Sequence, residues 1–374
     1  MLSHGSLALD MDGVARVPES SLTAPPARAE ARAPVVTPDD VRCAMQVVGR
    51  HLAPTPLVSH ALLDERAGCR MFVKLENSQG IGSFKIRGSL NLLAGMSAED
   101  RARGLVTATR GNHGQAIAYA ARMHGACCTV FVPHGNSPAK NAAIRALGAQ
   151  VLEAGHDYDA AMIAAEKHAA RSGAVLVHQG REPAMIAGAG TVALEMIEQA
   201  QGGLDAVFVP VGAGSLAAGM AVAIKAASPA TRVIGVCAEN APAMHHAWHT
   251  GERHAFAATE TVADGLALRI PVEETLAIMQ AQLDGMVLVS EREIQDAIRA
   301  YAETIHQMAE GAAAAALAAA LRHREAFAGG RVGVVLSGGN IDAPTLVAAL
   351  AGERPQHEPR AMPYFPIGEL SYGY

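Results

Sequence analysis

The sequence predicts an α/β protein whose parallel sheets are flanked by helices. Three observations carry this reading. Short, continuously apolar runs, at 127–133, 206–211, 232–238 and 332–336, alternate with longer stretches of helical spacing. Strands that are apolar on both faces belong to parallel sheets covered on both sides. Half of the 374 residues are hydrophobic and 18% are charged, so a large core can form and global disorder is excluded. The length favours two domains or one two-lobed unit.

Residues 1–36 are rich in Ala, Pro, Arg and Ser without a sustained period, and are expected to form a mobile arm. An upstream start codon that adds nothing to the fold is the alternative. Thr37-Pro-Asp-Asp40 is a helix start, with Thr as N-cap, Pro in the first position and acids in the first turn. That helix is expected to run to about residue 52. Two prolines make 51–58 extended. A strand at 70–76 leads through a polar, glycine-bearing turn into a helix with apolar positions Ile86, Leu90, Leu92 and Leu93. Strands follow at 104–109, 127–133, 150–152, 174–178, 206–211 and 232–238. Helices between and after them are read at 114–124, 139–147, 158–172, 186–199 and 216–227. Two further helices, 294–306 and 311–327, precede the last buried strand at 332–336. The tail from Gly352, Pro-rich and then aromatic, is read as an extended segment laid on the surface.

Composition excludes several classes of function. A net charge of -6 and a pI near 6.2 argue against a nucleic-acid binder, which shows a basic domain or stripe. Cys43, Cys69, Cys127, Cys128 and Cys237 lack CxxC spacing, and read as buried thiols of a reducing compartment. The most apolar run, 312–321, is too short to span a bilayer. The start Met-Leu-Ser-His-Gly lacks the basic and apolar parts of a secretory signal, so the cytoplasm is expected.

Four stretches carry chemistry. Ser83-Phe-Lys-Ile-Arg-Gly88 places Lys85 where a strand and its loop enter a helix, between two apolar neighbours. Dry surroundings disfavour the ammonium form, leaving more of the nucleophilic amine. This is the chemistry of a Schiff-base lysine; a surface lysine at a helix start is the plainer alternative. Thr109-Arg-Gly-Asn-His-Gly-Gln115 lies between a parallel strand and the next helix, where open α/β sheets bind ligands. Pro210-Val-Gly-Ala-Gly-Ser-Leu-Ala217 offers free amides at a helix N-terminus, an anion cradle. It also approximates a dinucleotide fingerprint, with Glu239 ending the next strand. Leu336-Ser-Gly-Gly-Asn-Ile-Asp342 presents the Ser337 hydroxyl at a strand end, able to face a heterocyclic nitrogen. Each of the three loops also reads as an ordinary strand-to-helix turn when taken alone.

Together, Lys-Leu-Glu-Asn at 74–77, Gly-Ser-Phe-Lys-Ile-Arg-Gly at 82–88, Gly-Asn-His-Gly-Gln at 111–115, the loop at 212–215 and Ser-Gly-Gly-Asn at 337–340 resemble the fold-type II pyridoxal-phosphate enzymes. The branch is that of threonine/serine dehydratases (ammonia-lyases) and serine racemases. Glu182-Pro-Ala-Met-Ile-Ala-Gly188, Thr261-Val-Ala-Asp-Gly265 and Glu310-Gly-Ala-Ala-Ala are similar to it as well. The resemblance covers about residues 38–350. It implies a two-lobed fold, with a large cofactor-binding lobe from 37–102 and 181–350, a small lobe from 103–180, and a tail at 351–374. It leaves too little chain after 350 for a regulatory domain, and it implies a homodimer or higher homo-oligomer.

The resemblance also implies residue roles. Lys85 is the Schiff-base lysine and the Cα proton acceptor, with Phe84 packed near the cofactor ring. Asn112 bonds the ring 3-hydroxyl. The amides of Gly212, Ala213, Gly214 and Ser215 hold the phosphate. Ser337 faces the pyridine nitrogen and leaves it largely unprotonated, which favours elimination over transamination. Thr109, Arg110, Gly111 and His113 are assigned to the substrate. Three departures stand out. Ala213 and Ser215 replace two glycines of the phosphate loop. The cation site of this family keeps Glu239 as a candidate ligand, but its later acid is His245. Magnesium and calcium prefer oxygen ligands, so a divalent cation is left open, and His245 and His249 are read as solvated. Arg110 stands where racemases carry a serine. Being always charged, it is a poor proton donor.

The expected activity is a pyridoxal-phosphate dependent lyase that eliminates water from a β-hydroxy amino acid such as L-threonine or L-serine. The products are a 2-keto acid and ammonia. Alternatives within the fold are a 3-hydroxyaspartate dehydratase, in which Arg110 forks onto a second carboxylate, a racemase, and a β-replacement enzyme. If Arg110 instead pairs with an acid of the protein, its role is structural. A nicotinamide-dependent oxidoreductase built on 205–239 and a catalytically silent binding protein are the more distant readings. Neither gives Lys85 a task.

Overall fold

The computed structural model describes residues 36–353 and the backbone of 364–366. The expected N-terminal arm, apart from its last residue, and most of the tail beyond 353 lie outside the described residues. The described strands, in chain order, are β1 (Leu57–Val58), β2 (Arg70–Leu75), β3 (Leu105–Ala108), β4 (Cys128–Val132), β5 (Gln150–Glu153), β6 (Val175–Leu176), β7 (Ala206–Pro210), β8 (Arg232–Ala238), β9 (His254–Phe256), β10 (Gly285–Val289), β11 (Arg331–Leu336) and β12 (Tyr364–Pro366). They form two principal sheets. A six-stranded sheet runs in the order β1-β2-β11-β7-β8-β10 and is parallel except for the β1 edge. A four-stranded parallel sheet runs β5-β4-β3-β6. The chain thus leaves the larger sheet after β2, builds the smaller one, and returns at β7.

Side-chain alternation explains why the strands read as continuous apolar runs. Along β7, Val207 and Val209 face a core shared with Ile186, Val192, Leu216 and Ile224. Ala206 and Phe208 face the opposite core, shared with Ala313, Leu317 and Tyr301. Both faces of a period-two strand are therefore dry. The helix Gly311–Arg322 covers the second face with small alanine side chains that are almost all buried.

The Lys85 helix (Lys85–Gly95) is fixed from two sides. A Cβ on Gly188 would lie 2.6 Å from the Cα of Gly88, so this helix and Pro183–Gln199 cross in backbone contact. Within the helix, the fully buried Arg87 forks onto Glu76 through Nε and Nη2, both at 2.8 Å. It also reaches Glu195 at 2.6 and 2.8 Å. Lys74 Nζ adds a bond of 2.7 Å to Glu195. Two cations and two carboxylates thus satisfy one another in a dry interior. Removing one partner from such a network costs about 3–5 kcal/mol, because a buried charge is left uncompensated. On its other side the helix gives Ile86, Leu90 and Leu93 to a core shared with Leu105, Ile117 and Val130 beside the smaller sheet.

Thr37 caps the first helix, Pro38–Val48, in a capping box with Asp40, and the helix ends four residues earlier than expected. The helix read at 311–327 stops at Arg322 and passes into a 3-10 turn, Arg324–Phe327. Strand β10, helix Glu273–Gln282 and the short elements at 57–67, 98–103 and 254–256 are found where the sequence was read without any. Cys43 and Cys127 are exposed, unlike the buried thiols expected; all five cysteines are free. His245 is buried, not solvated, because its helix, Ala243–Thr250, packs between β8 and Glu273–Gln282. Among the described residues, no helix is long and apolar enough to cross a membrane.

Candidate active site

The C-terminal ends of β3, β7 and β11 converge on one cleft of about 790 Å³, counted out to open solvent. Phe84, Lys85, Thr109, Arg110, Gly111, Asn112 and His113 all line it, as do Gly212, Ala213, Gly214, Ser215 and Ser337. Ligands bind at this end of parallel sheets.

Lys85 is the first residue of its helix, and Phe84 occupies the N-cap without a side-chain cap. The Phe84 amide donates to the Ser337 carbonyl at 3.0 Å, which ties the lysine loop to the end of β11. Lys85 Nζ donates to Gln179 Oε1 and to Ser215 Oγ, each at 3.3 Å. It lies 5.0 Å from the centre of the Phe84 ring. Burial pushes its pKa down to about 8, against the pull of Glu310. The neutral amine is therefore far more populated near neutral pH than on an ordinary lysine.

Opposite Lys85, the helix Ser215–Ala227 begins directly after the loop 212–214. Gly214 takes φ +84°, and a Cβ there would lie 2.8 Å from the Thr275 side chain. A Cβ on Gly212 would meet the Gly265 carbonyl at 2.1 Å. The Thr275 hydroxyl donates to the Ala213 carbonyl at 2.7 Å and secures the loop. Glycine is required here by close approach and by a positive φ. The amides left free at the helix start form an anion site.

On the third wall, Thr109 Oγ1 accepts from the Gly111 amide at 2.8 Å, and helix Asn112–Met123 starts one residue later. Asn112 is held at both ends of its amide: Nδ2 donates to Glu310 Oε1 at 2.6 Å, and Oδ1 accepts from Asn340 at 2.7 Å. Its second N–H stays available to a ligand. Among the described residues, neither ring nitrogen of His113 has a hydrogen-bond partner. Burial, with Lys85 and His178 nearby, keeps that ring neutral. Arg110 Nη1 lies 3.4 Å from Asp264 Oδ1.

Several residues that line the cleft escaped the sequence reading. Burial raises the pKa of Glu310 to about 7, opposed by Lys140 and Asn112. Lys140 donates to Asp264 Oδ2 at 2.6 Å; burial opposes its charge, but Asp264 and Glu310 outweigh that and raise its pKa. Gln179, Tyr158 and Asp264 also line the cleft. Asp264 and Glu310 did sit in quoted segments, each just before a glycine, and that pattern was the available signal. Lys140, Tyr158 and Gln179 had none. Glu239, the candidate cation ligand, lies 3.7 Å from Arg322 Nη1. Among the described residues, no group of three His, Cys, Asp or Glu side chains could hold a metal ion.

An amine of lowered pKa, an amide cradle for an anion, and a hydroxyl at a strand end fit pyridoxal phosphate, whose aldehyde, phosphate and ring nitrogen ask for those three partners. The chain is 39% identical over 308 residues to the L-threonine ammonia-lyase of Thermotoga maritima, covering 82% of this chain and 76% of that protein. Among solved structures, the processed form of threonine deaminase isoform 2 from Solanum lycopersicum matches with a TM-score of 0.80 at 29% identity, covering 91% of this chain and 99% of that one. Maize serine racemase matches with a TM-score of 0.79 at 28% identity, covering 85% and 97%. The profile of the family described as "Pyridoxal-phosphate dependent enzyme" matches residues 48–338, and the chain belongs to that family.

Proposed function

We propose that this protein is a pyridoxal-phosphate dependent dehydratase, an ammonia-lyase that releases water and ammonia from a β-hydroxy amino acid and leaves a 2-keto acid. Threonine and serine are the simplest amino acids of that kind. The observation that carries the reading is Lys85, an amine with a pKa near 8 that faces the amide cradle at 212–215 across one cleft. The likeness to enzymes named threonine ammonia-lyase and threonine deaminase supports it.

Bound here, pyridoxal phosphate supplies an aldehyde for amines and an electron-accepting ring. The chain supplies the rest. Lys85 is the amine that carries the cofactor and the base for the substrate Cα proton. Its depressed pKa suits both tasks near neutral pH. Gly212, Ala213, Gly214 and Ser215 hold the phosphate through their amides. Ser215 Oγ, 3.3 Å from Lys85 Nζ, is a second group able to hold or pass a proton. Ser337 would face the ring nitrogen without a charge, and Asn112 would offer its free N–H to the ring oxygen. Thr109, Gly111 and His113 lie at the start of helix Asn112–Met123, where amides receive the substrate α-carboxylate. Arg110 cannot act as a proton donor, so racemisation is weak.

The lobe division at 103–180 belongs to the same proposal. Asp264, Glu310 and Asp342 bond Lys140, Asn112 and Ser137 across the cleft, and the smaller lobe closes on substrate through such contacts. We place the enzyme in the cytoplasm, as a homodimer or higher oligomer. The test is a 2-keto acid and ammonia assay on threonine and serine in both enantiomers, with a visible absorbance spectrum of the pure protein. A cofactor band with keto acid release is expected. A spectrum without the band, or racemisation faster than elimination, overturns the reading.

A further inference from the structure

Among the described residues, two buried donors on the cleft have no acceptor. Among the described residues, Arg110 Nε has no hydrogen-bond partner. The Tyr158 hydroxyl, on a side chain only 4% exposed, faces Gln179 without closing a hydrogen bond. A buried N–H, such as Arg110 Nε on a side chain that is itself part-exposed, and a buried phenol are costly to leave unpaired, so donors of this kind at a cleft mark a place for a ligand acceptor.

The local ion pairs show which charge is free to serve one. Arg110 and Lys140 share a single carboxylate, Asp264. Lys140 makes the short contact, 2.6 Å to Oδ2; Arg110 makes one long contact, 3.4 Å to Oδ1, and no fork. If Arg110 turns away, Asp264 keeps its lysine and is not stranded. The other nearby carboxylates are engaged. Asp159 accepts from the Arg269 amide at 3.2 Å, and burial raises its pKa to about 6 against the pull of Arg269 and, more weakly, of Arg110. Glu310 accepts from Asn112. The α-carboxylate of an amino acid is served by the amides at the start of helix Asn112–Met123, so the spare guanidinium edge and the phenol await a second anionic group.

We propose that Arg110 and Tyr158 form a subsite for a second carboxylate, and that the substrate class is the β-hydroxy dicarboxylic amino acids, of which 3-hydroxyaspartate is the smallest. The proposal rests on the dehydratase reading above. Arg110 Nε and one Nη form the planar fork that matches a carboxylate, with Tyr158 donating to the same group. A site built to bond a polar group discriminates strongly against analogues that lack it.

The test uses holoenzyme and two probes without a leaving hydroxyl: L-aspartate, and L-2-aminobutyrate as its uncharged counterpart. Calorimetric titration is expected to show L-aspartate binding at least about tenfold tighter. Arg110→Gln is expected to remove that difference, and Tyr158→Phe, which keeps the ring, to reduce it severalfold. In parallel, keto acid release is expected to favour one diastereomer of 3-hydroxyaspartate over threonine and serine in kcat/KM. L-aspartate binding no tighter than L-2-aminobutyrate, with threonine or serine still dehydrated, overturns the subsite and leaves the dehydratase. An aspartate preference that survives Arg110→Gln overturns the residue assignment. Tight aspartate binding without keto acid from any hydroxy amino acid upholds the subsite and removes the dehydratase reading.

Discussion

The two sides of the cleft are made of different material. The side grown from the six-stranded sheet, residues 210–215 and 337, presents backbone amides and small side chains. The side grown from the four-stranded sheet presents Arg110, Asn112, His113, Lys140 and Tyr158, which are long, charged or aromatic. The first is held by close backbone contacts, Gly212 against Gly265 and Gly214 against Thr275. The second is held by polar bonds that cross between the sheets, such as Asn112 to Glu310 and Ser137 to Asp342. A constant ligand suits an amide wall, because amides do not change with the residue. A ligand whose side chain varies is best read by side chains. On the proposed assignment, the cofactor and the substrate are recognised by different chemistry on facing walls.

The largest break in this comparison comes from Lys85, which stands between the walls. Lys85→Ala should lower keto acid release by roughly a thousandfold or more and remove the cofactor band. The fold should survive, since Lys85 is only partly buried and the neighbouring Arg87 keeps its network. Full turnover with an unchanged spectrum would falsify the role given to this lysine. On the amide wall, Gly214→Asp should weaken cofactor binding by about a hundredfold or more. It forces an L side chain into φ +84°, pushes a Cβ against Thr275, and sets a carboxylate beside a phosphate site. An unaltered cofactor dissociation constant would mean the phosphate lies elsewhere.

A smaller effect tests a bond that crosses between the two walls. Glu310 is buried beside Asn112, and its charge favours the ammonium form of Lys85. Glu310→Gln removes that charge, so the Lys85 pKa must fall below its value of about 8. The neutral amine is the form that takes up cofactor. The midpoint of the pH dependence of cofactor uptake by the apoprotein should therefore move to lower pH in the variant. Stopped-flow absorbance between pH 6.5 and 9 measures this. Movement in the opposite direction would show that Glu310 does not act on Lys85.

The same contrast explains what the sequence made legible. The amide wall is local: a strand, a few glycines and a helix start lie within eight residues, so 210–217 could be read directly. The buried strands β2, β7, β8 and β11 were legible because both faces are dry. Strand β10 was not found, although Gly285-Met-Val-Leu-Val289 is as apolar as the rest. The helix before it, Glu273–Gln282, buries one face, Thr275, Leu276, Ile278 and Met279, but that face carries a threonine while the apolar Ala277 is exposed, so the sequence contrast was weak and no alternation announced the strand. The bonds that join the two walls were hidden for a different reason. Lys140, Tyr158, Asp264 and Glu310 come from four separate stretches and meet only when the two sheets face each other. The ion pair of Lys140 with Asp264 joins residues 124 apart in sequence, and no local pattern encodes it.

The smallest expected effect sharpens the comparison most. Ala213 replaces a glycine that the family resemblance leads one to expect in the phosphate loop. If the wall binds through amides, the methyl group should matter little to the cofactor. Ala213 is not among the residues with positive φ, so its backbone is one that glycine and alanine can both adopt. Its carbonyl is held by Thr275, and that bond does not depend on the side chain. What Ala213→Gly removes is a buried methyl and some stiffness of the unfolded chain, together about 1 kcal/mol of folding stability. Thermal unfolding of the apoprotein should drop by a few degrees at most, while the cofactor dissociation constant changes less than about threefold. A large loss of cofactor affinity with little change in unfolding would place the methyl group in the recognition itself. The division between an amide wall and a side-chain wall would then fail on the side where it is drawn most sharply.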